Sequence, residues 1–307
     1  GGTHFRIALV DEKGQILKQF KGRTYTEGGP DEGIERINDA IADILTDIGQ
    51  DPVCGMGIAI AGLVTPATGV LLTSPNLLSW YNTPVKEIFE RELRIPVHVG
   101  NDANLAVLGE HRFGAGTGSN NVIYITVSTG IGGGVITGGK LLTGSSGFAG
   151  ELGHMTIDLN GPKCKCGSIG CFEVMASGTA IADFALERLS RGEKSAITDI
   201  VAGDLARVTA KVVVEAAKAG DAVAGEVMRT ETTNLGVGLA NLVHIFNPDI
   251  IILGGGVSQA GEFLFEPVRR VVAGRIMRDY TISIVPAALG DDCGLLGAAA
   301  LVMGEYS

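Results

Sequence analysis

Cysteine is scarce in this chain. There are five in 307 residues, and none outside one short cluster suggests pairing. A disulfide-built fold is thereby excluded, and a reducing compartment is implied. No run of 18 apolar residues occurs, so no membrane-spanning helix is expected. No secretory leader is visible either, and the cytoplasm is the expected location. Basic residues are outnumbered, 24 Lys and Arg against 34 Asp and Glu. The net charge of −10 opposes nonspecific binding to nucleic acid or an acidic membrane. A small anionic ligand stays open, because it responds to local fields. Low-complexity segments, the Walker phosphate-loop pattern and the dinucleotide glycine pattern with its later acid are absent.

What is present is a globular composition, 45% hydrophobic and 19% charged. The length suits two ordinary domains, and 46 glycines imply many tight turns. Strands and helices alternate along the chain. Residues 5–10 and 15–20 read as strands around a turn at 11–14. Residues 30–48 read as a helix, with Ile34, Ile37, Ile41, Ile44, Leu45 and Ile48 at helical spacing. A buried strand at 53–61, a helix at 83–93 and a strand at 96–99 follow. Asn101-Asp102 then opens a helix towards Arg112.

After a Gly/Ser/Asn-rich link at 114–120, the plan restarts. A strand at 121–127 leads into a glycine-rich stretch at 128–134, then a strand at 135–136 and a return at 140–142. Helices are expected at 176–191, 209–218, 221–246, 261–277 and 293–303, with strands at 249–253 and 281–285. The fold class is α/β with a partly parallel sheet, in two halves that echo one hairpin plan. The smaller half spans 1–116, with a terminal helix at 292–307 packing back on it, and the larger spans 117–291.

The densest chemistry lies between Gly150 and Glu173. His154, Cys164, Cys166 and Cys171 offer one imidazole and three thiolates, a closed tetrahedral zinc set. Gly161, Pro162, Gly167 and Gly170 let the short chain fold around one ion. Four protein ligands leave no position for an activated water, so such a zinc is structural. It would fix Glu151 and Glu173, which flank the ligands, and the second ring nitrogen of His154.

Three turns place glycine at a strand end: Gly1-Gly2-Thr3, Thr129 to Gly134 with Gly130 and Gly132, and Gly254-Gly255-Gly256. Backbone N–H groups there can approach an anion such as a polyphosphate; plain turns are the alternative. Asp102 follows a strand and opens a helix. It reads either as a helix cap or as a general base. Asn76, Asn101 and Asn104 suit hydrogen bonding to hydroxyls.

These residues together resemble the ROK family of sugar kinases and repressors, within the actin-like, RNase H-like ATPase superfamily. The resemblance covers nearly the whole chain. Its most specific part is Glu151-Leu152-Gly153-His154 followed by Cys164-x-Cys166-Gly167-x-x-Gly170-Cys171-x-Glu173. Asn101-Asp102-Ala103-Asn104 and the three glycine turns also match. The resemblance implies a two-domain kinase with Asp102 as the base acting on a sugar 6-hydroxyl. It implies that Asn76, Asn101, Glu151, His154 and Glu173 hold the sugar, that the glycine turns hold ATP with Mg2+, and that zinc is structural.

The implied activity is glucose phosphorylation by a homodimer or higher homo-oligomer. An N-acetylmannosamine or N-acetylglucosamine kinase is the alternative, as is the sugar-sensing part of a repressor without its DNA-binding segment. One departure is clear. Family kinases carry Asp-x-Gly-Gly-Thr at the end of a first strand, and here only Gly1-Gly2-Thr3 stands. The natural protein is expected to begin about ten residues earlier. As given, the chain is expected to phosphorylate poorly.

Overall fold

The computed structural model describes residues 3–24, 29–46 and 52–304. Gly1, Gly2 and Ile48 lie outside the described residues. The chain divides into two units. One comprises Gly1–Asn120, Gly134–Gly150 and Ala288–Ser307, and the other Asn121–Gly133 and Glu151–Ala287.

In the first unit, β1 (His4–Val10) and β2 (Ile16–Arg23) form the expected antiparallel hairpin. Asp11 shapes the turn, its Oδ1 accepting from the N–H groups of Lys13 and Gln15 at 3.0 and 2.7 Å. Helix α1 (Gly29–Leu45) buries Ile34, Ile41 and Ile44 at helical spacing. Strand β3 (Met56–Ile60) and strand β6 (Val97–Asn101) pair in parallel, joined by a crossover that contains α2 (Val85–Leu93). That crossover also holds a hairpin, β4 (Leu63–Thr65) with β5 (Val70–Thr73), which periodicity did not reveal. Strands of three and four residues are too short to show alternation.

The site of interest in this unit rests on two helices, α3 (Asp102–Phe113) and α10 (Cys293–Val302). They approach closely through glycine. A Cβ on Gly109 would overlap the carbonyl of Cys293, and one on Gly297 the carbonyl of Leu105. Glu110 of α3 is fully buried and accepts from the N–H groups of Ala115, Ala288 and Leu289 at 2.9, 3.1 and 2.9 Å. One carboxylate thus satisfies three backbone donors and ties the end of α3 to the segment leading into α10.

Among the described residues β1 pairs only with β2, and β3 only with β6. Residues of β1 and β3 line a cavity of about 1480 Å³, together with Ile37 and Ile41 of α1 and Ala298 and Ala299 of α10.

In the second unit, β10 (Ile250–Gly254) lies between β7 (Val122–Val127) and β11 (Ser283–Pro286), all parallel. Strand β8 (Ile131–Thr137) follows β7 in the strand order. Its later residues belong to the first unit, where it pairs with β9 (Lys140–Leu141). The glycine stretch is therefore shorter than expected, since Gly132, Gly133 and Gly134 are strand residues.

The helix expected at 176–191 is α5 (Gly178–Ser190), preceded by a short α4 (Phe172–Ala176) that was not foreseen. Ser177 stands extended between them and its hydroxyl caps Ala180 N–H at 3.2 Å. A short α6 (Ala196–Ile200) was not foreseen; its start is held by Asp221, which accepts from Ala196 N–H at 2.7 Å. Helix α7 (Ala210–Lys218) and helix α8 (Ala222–Phe246) match the periodicity. Helix α9 (Glu262–Ala273) stops short of the expected 277, at Gly274. Gly236 and Gly238 of α8 do permit close packing, against Val271 and Phe172.

Helix α8 also carries Glu231, which is fully buried, and neither carboxylate oxygen has a hydrogen-bond partner. Burial pushes its carboxyl well above the usual 4.5. A raised acid contributes stability that is fully present below 4.5 and is lost as pH rises through the folded-state value. Replacing Glu231 by Met, of similar reach and without the charge, should stabilise the protein more at pH 8 than at pH 4. The gain expected at pH 8 is ~1–3 kcal/mol, the cost of an unsatisfied buried group. Thermal unfolding at the two pH values checks this, and a gain independent of pH would contradict it.

Candidate active site

Strand β6 runs directly into α3, and the junction presents Asn101 and Asp102. Asn101 is extended, at φ −62° and ψ 143°, and its Oδ1 accepts from the N–H groups of Ala103 and Asn104 at 2.9 and 3.2 Å. Its Nδ2 donates to the carbonyl of Gly62 at 3.2 Å. The helix cap is therefore Asn101, and Asp102 is released from that duty. The Asp102 carboxylate is open to solvent on one side yet recessed among protein atoms on the cavity wall. This desolvation raises its pKa above the usual 3.8, although the N–H of Ala103 pulls the other way at 2.9 Å. Asn76 is exposed on a loop anchored by buried Leu77 and Trp80, and its N–H donates to Ser74 Oγ at 3.3 Å. Thr3 also belongs to this unit, its carbonyl accepting from Thr24 N–H at 3.0 Å. Asn104 points inward, with Oδ1 buried and unpartnered.

In the second unit the cluster foreseen from spacing assembles. Ligand atoms of His154, Cys164, Cys166 and Cys171 all lie within 4.8 Å of one another. His154 Nδ1 stands 3.7 Å from Cys164 Sγ, and Cys166 Sγ stands 3.6 Å from Cys171 Sγ. Ligands on a tetrahedral zinc with ~2.3 Å sulfur bonds are separated by roughly these distances, so the residues fit the metal. Burial and then the neighbouring thiols push Cys171 up to about 12. A divalent cation offsets that crowding when all three are thiolates.

The other ring nitrogen of His154, Nε2, faces Glu151 Oε2 at 4.0 Å. Tight turns build the loop: Gly167 and Gly170 have φ of 96° and 59°, and a Cβ on Gly170 would overlap the Asp158 carbonyl.

Glycine turns end two adjacent parallel strands. Ser128 to Gly130 follow β7, and β10 ends at Gly254 with Gly255 and Gly256 following it. A Cβ on Gly255, at φ 85°, would overlap the Val127 carbonyl, so the two turns abut. The carboxyl ends of parallel strands are where open α/β sheets receive ligands. Glu173 reaches this place as well, its Oε2 accepting from Ile131 N–H at 3.1 Å. The residues that support the first turn, Gly178 and Thr179, went unnoticed in the sequence. Gly178 N–H donates to Ser128 O and Thr179 Oγ1 to Thr129 O, both at 2.7 Å. No spacing marks them, since they meet the turn only through the path of α4 and α5.

Fold and site together define an α/β protein with abutting glycine turns on parallel strands and, in the same unit, a metal cluster of one histidine and three cysteines. The chain belongs to the ROK family, whose model matches residues 1–305. It is 40% identical to a glucokinase of Thermotoga maritima over 304 residues, covering 98% of this chain and 95% of that protein. It is also 34% identical to a xylose repressor of Caldicellulosiruptor bescii, covering 99% of this chain but 77% of the repressor. Among solved structures, a ROK family glucokinase from Streptomyces griseus in complex with glucose and AMPPNP superposes with a TM-score of 0.82. It is 38% identical, with 98% of this chain and 96% of that one covered.

Proposed function

We propose that this chain is an ATP-dependent glucokinase, transferring the γ-phosphoryl group of ATP to the 6-hydroxyl of glucose. The observation that carries this reading is Asp102, a recessed carboxylate at the start of α3 that Asn101 frees from capping. The likeness to glucokinases over almost their whole length supports it.

In the reaction, Asp102 accepts the proton of the 6-hydroxyl as that oxygen forms its bond to the γ-phosphorus. The bond to the β–γ bridging oxygen breaks, and ADP leaves with the electron pair. Asn76, Asn101, Glu151, His154 and Glu173 are assigned to the sugar hydroxyls. The turn containing Thr129 and Gly130, Gly132 near the start of β8, and the stretch Gly254 to Gly256 are assigned to the phosphates through their backbone N–H groups. His154, Cys164, Cys166 and Cys171 would hold zinc, which supplies order and no reactive water. Magnesium would arrive with ATP and screen its charge.

The same reading takes the two units as the halves of an actin-like ATPase and the protein as a homodimer acting in sugar breakdown. It also takes the protein as cytoplasmic; among the described residues no helix is long and apolar enough to cross a membrane.

A side-by-side assay of glucose, N-acetylmannosamine and N-acetylglucosamine as acceptors tests the substrate. A site that hydrogen-bonds several hydroxyls rejects a substrate that leaves those partners unpaired. Glucose is expected to lead by at least ~10-fold in kcat/KM, the low end of such discrimination. A clear preference for either acetylated sugar would overturn glucose as the substrate.

A further inference from the structure

Glu173 does more in the structure than flank the metal ligands. Its Oε2 accepts from the N–H of Ile131 at 3.1 Å, while Oε1 has no hydrogen-bond partner among the described residues. The fit is close, because a Cβ on Gly130 would overlap Oε2. Ile131 is held from its other side too, since a Cβ on Gly153 would overlap the Ile131 carbonyl. Gly153 and Glu173 thus bracket Ile131, one at its carbonyl and the other at its N–H, and each lies within two residues of a metal-cluster residue, His154 and Cys171. Gly178 and Thr179 secure the preceding carbonyls of Ser128 and Thr129. The turn assigned to nucleotide is therefore braced by the segment assigned to sugar.

We propose that Glu173 is a positioning residue that couples sugar binding to nucleotide binding: Oε1 takes a sugar hydroxyl while Oε2 holds the Gly130–Ile131 peptide and, through it, the shape of the turn at Ser128 to Gly130 that is assigned to nucleotide. This rests on the kinase reading above. A hydroxyl donated to Oε1 immobilises the carboxylate, and the immobilised carboxylate orders the turn. The nucleotide then finds part of the ordering already done. Linkage requires that each ligand tighten the other by the same factor.

Calorimetric titration of AMPPNP with and without saturating glucose, and of glucose with and without AMPPNP, tests this. In the unaltered protein each ligand should strengthen the other at least ~5-fold, the lower end of measured couplings. In Gly130→Ala the new methyl displaces the carboxylate, and the factor should fall below ~2-fold whatever happens to the separate affinities. Glu173→Gln keeps an oxygen for the Ile131 N–H and should retain part of the coupling, whereas Glu173→Ala should abolish it. Amide exchange supplies a second readout: glucose alone should slow exchange at residues 129–132 in the unaltered protein and not in Gly130→Ala. Should Gly130→Ala fail to fold, the contrast between Glu173→Gln and Glu173→Ala carries the test. Both ligands binding independently to the unaltered protein, or coupling that survives Gly130→Ala and Glu173→Ala, would overturn the proposal. If neither glucose nor AMPPNP binds the unaltered protein, the kinase reading itself fails and the coupling with it.

Discussion

Asp102→Asn is expected to leave the fold standing and to cut turnover by ~10²–10⁴-fold, the usual cost of losing a general base. The amide keeps the side chain's size and its place after Asn101, which makes the cap. It cannot accept the hydroxyl proton. Sugar affinity should change little, so the loss should appear in kcat. Burial raises the Asp102 pKa above 3.8, and the base works only when deprotonated. The acid limb of kcat/KM should accordingly fall at higher pH than for an ordinary aspartate, and the residual activity of Asp102→Asn should lack that limb. Stability has the opposite sign. A raised acid contributes most below 3.8, and that contribution is lost as pH rises through the folded-state value. The variant should therefore unfold no more easily than the parent at neutral pH. Full turnover in Asp102→Asn, or a fold loss visible by circular dichroism, would remove Asp102 from the base's role.

Cys166→Ser is expected to lose zinc and sugar phosphorylation together while keeping most of the helix signal. Cys166 is exposed at the edge of the cluster, so its replacement creates no core cavity. A hydroxyl is a poor substitute for a thiolate on zinc. With the metal gone, His154 loses its partner at Nδ1, and the ring no longer fixes Nε2 beside Glu151 Oε2. The loop between Asp158 and Gly170 depends on glycine turns more than on apolar packing. It should become mobile without unfolding either unit. Elemental analysis of the purified parent should find about one zinc per chain, since the four ligands make one tetrahedral set. Metal-free protein that binds and phosphorylates glucose normally would reduce the cluster to a local staple.

Much of this site could be read along the chain because it is local. Four metal ligands fall within eighteen residues, and their side chains meet as the spacing implied. Asn101 and Asp102 are consecutive, although only the structure shows which of them is the cap. Long periodic helices such as α8 were plain for the same reason. What stayed hidden depends on distant pairings. Glu110 meets Ala288 and Leu289 far along the chain. Glu173 meets Ile131 across 42 positions. No pattern in a window of a dozen residues records such contacts. The β4–β5 hairpin and α6 were missed because elements of three to five residues carry too few positions to show a period.

The most direct measurement follows the phosphoryl group itself. Purified protein is incubated with glucose, ATP and magnesium, and the sugar product is identified by nuclear magnetic resonance, with Asp102→Asn run in parallel. The account predicts glucose 6-phosphate and ADP in equal amounts from the parent, and at least ~10²-fold less of both from the variant. ATP hydrolysis without a phosphorylated sugar, a phosphate at another hydroxyl, or equal yields from parent and variant would contradict it.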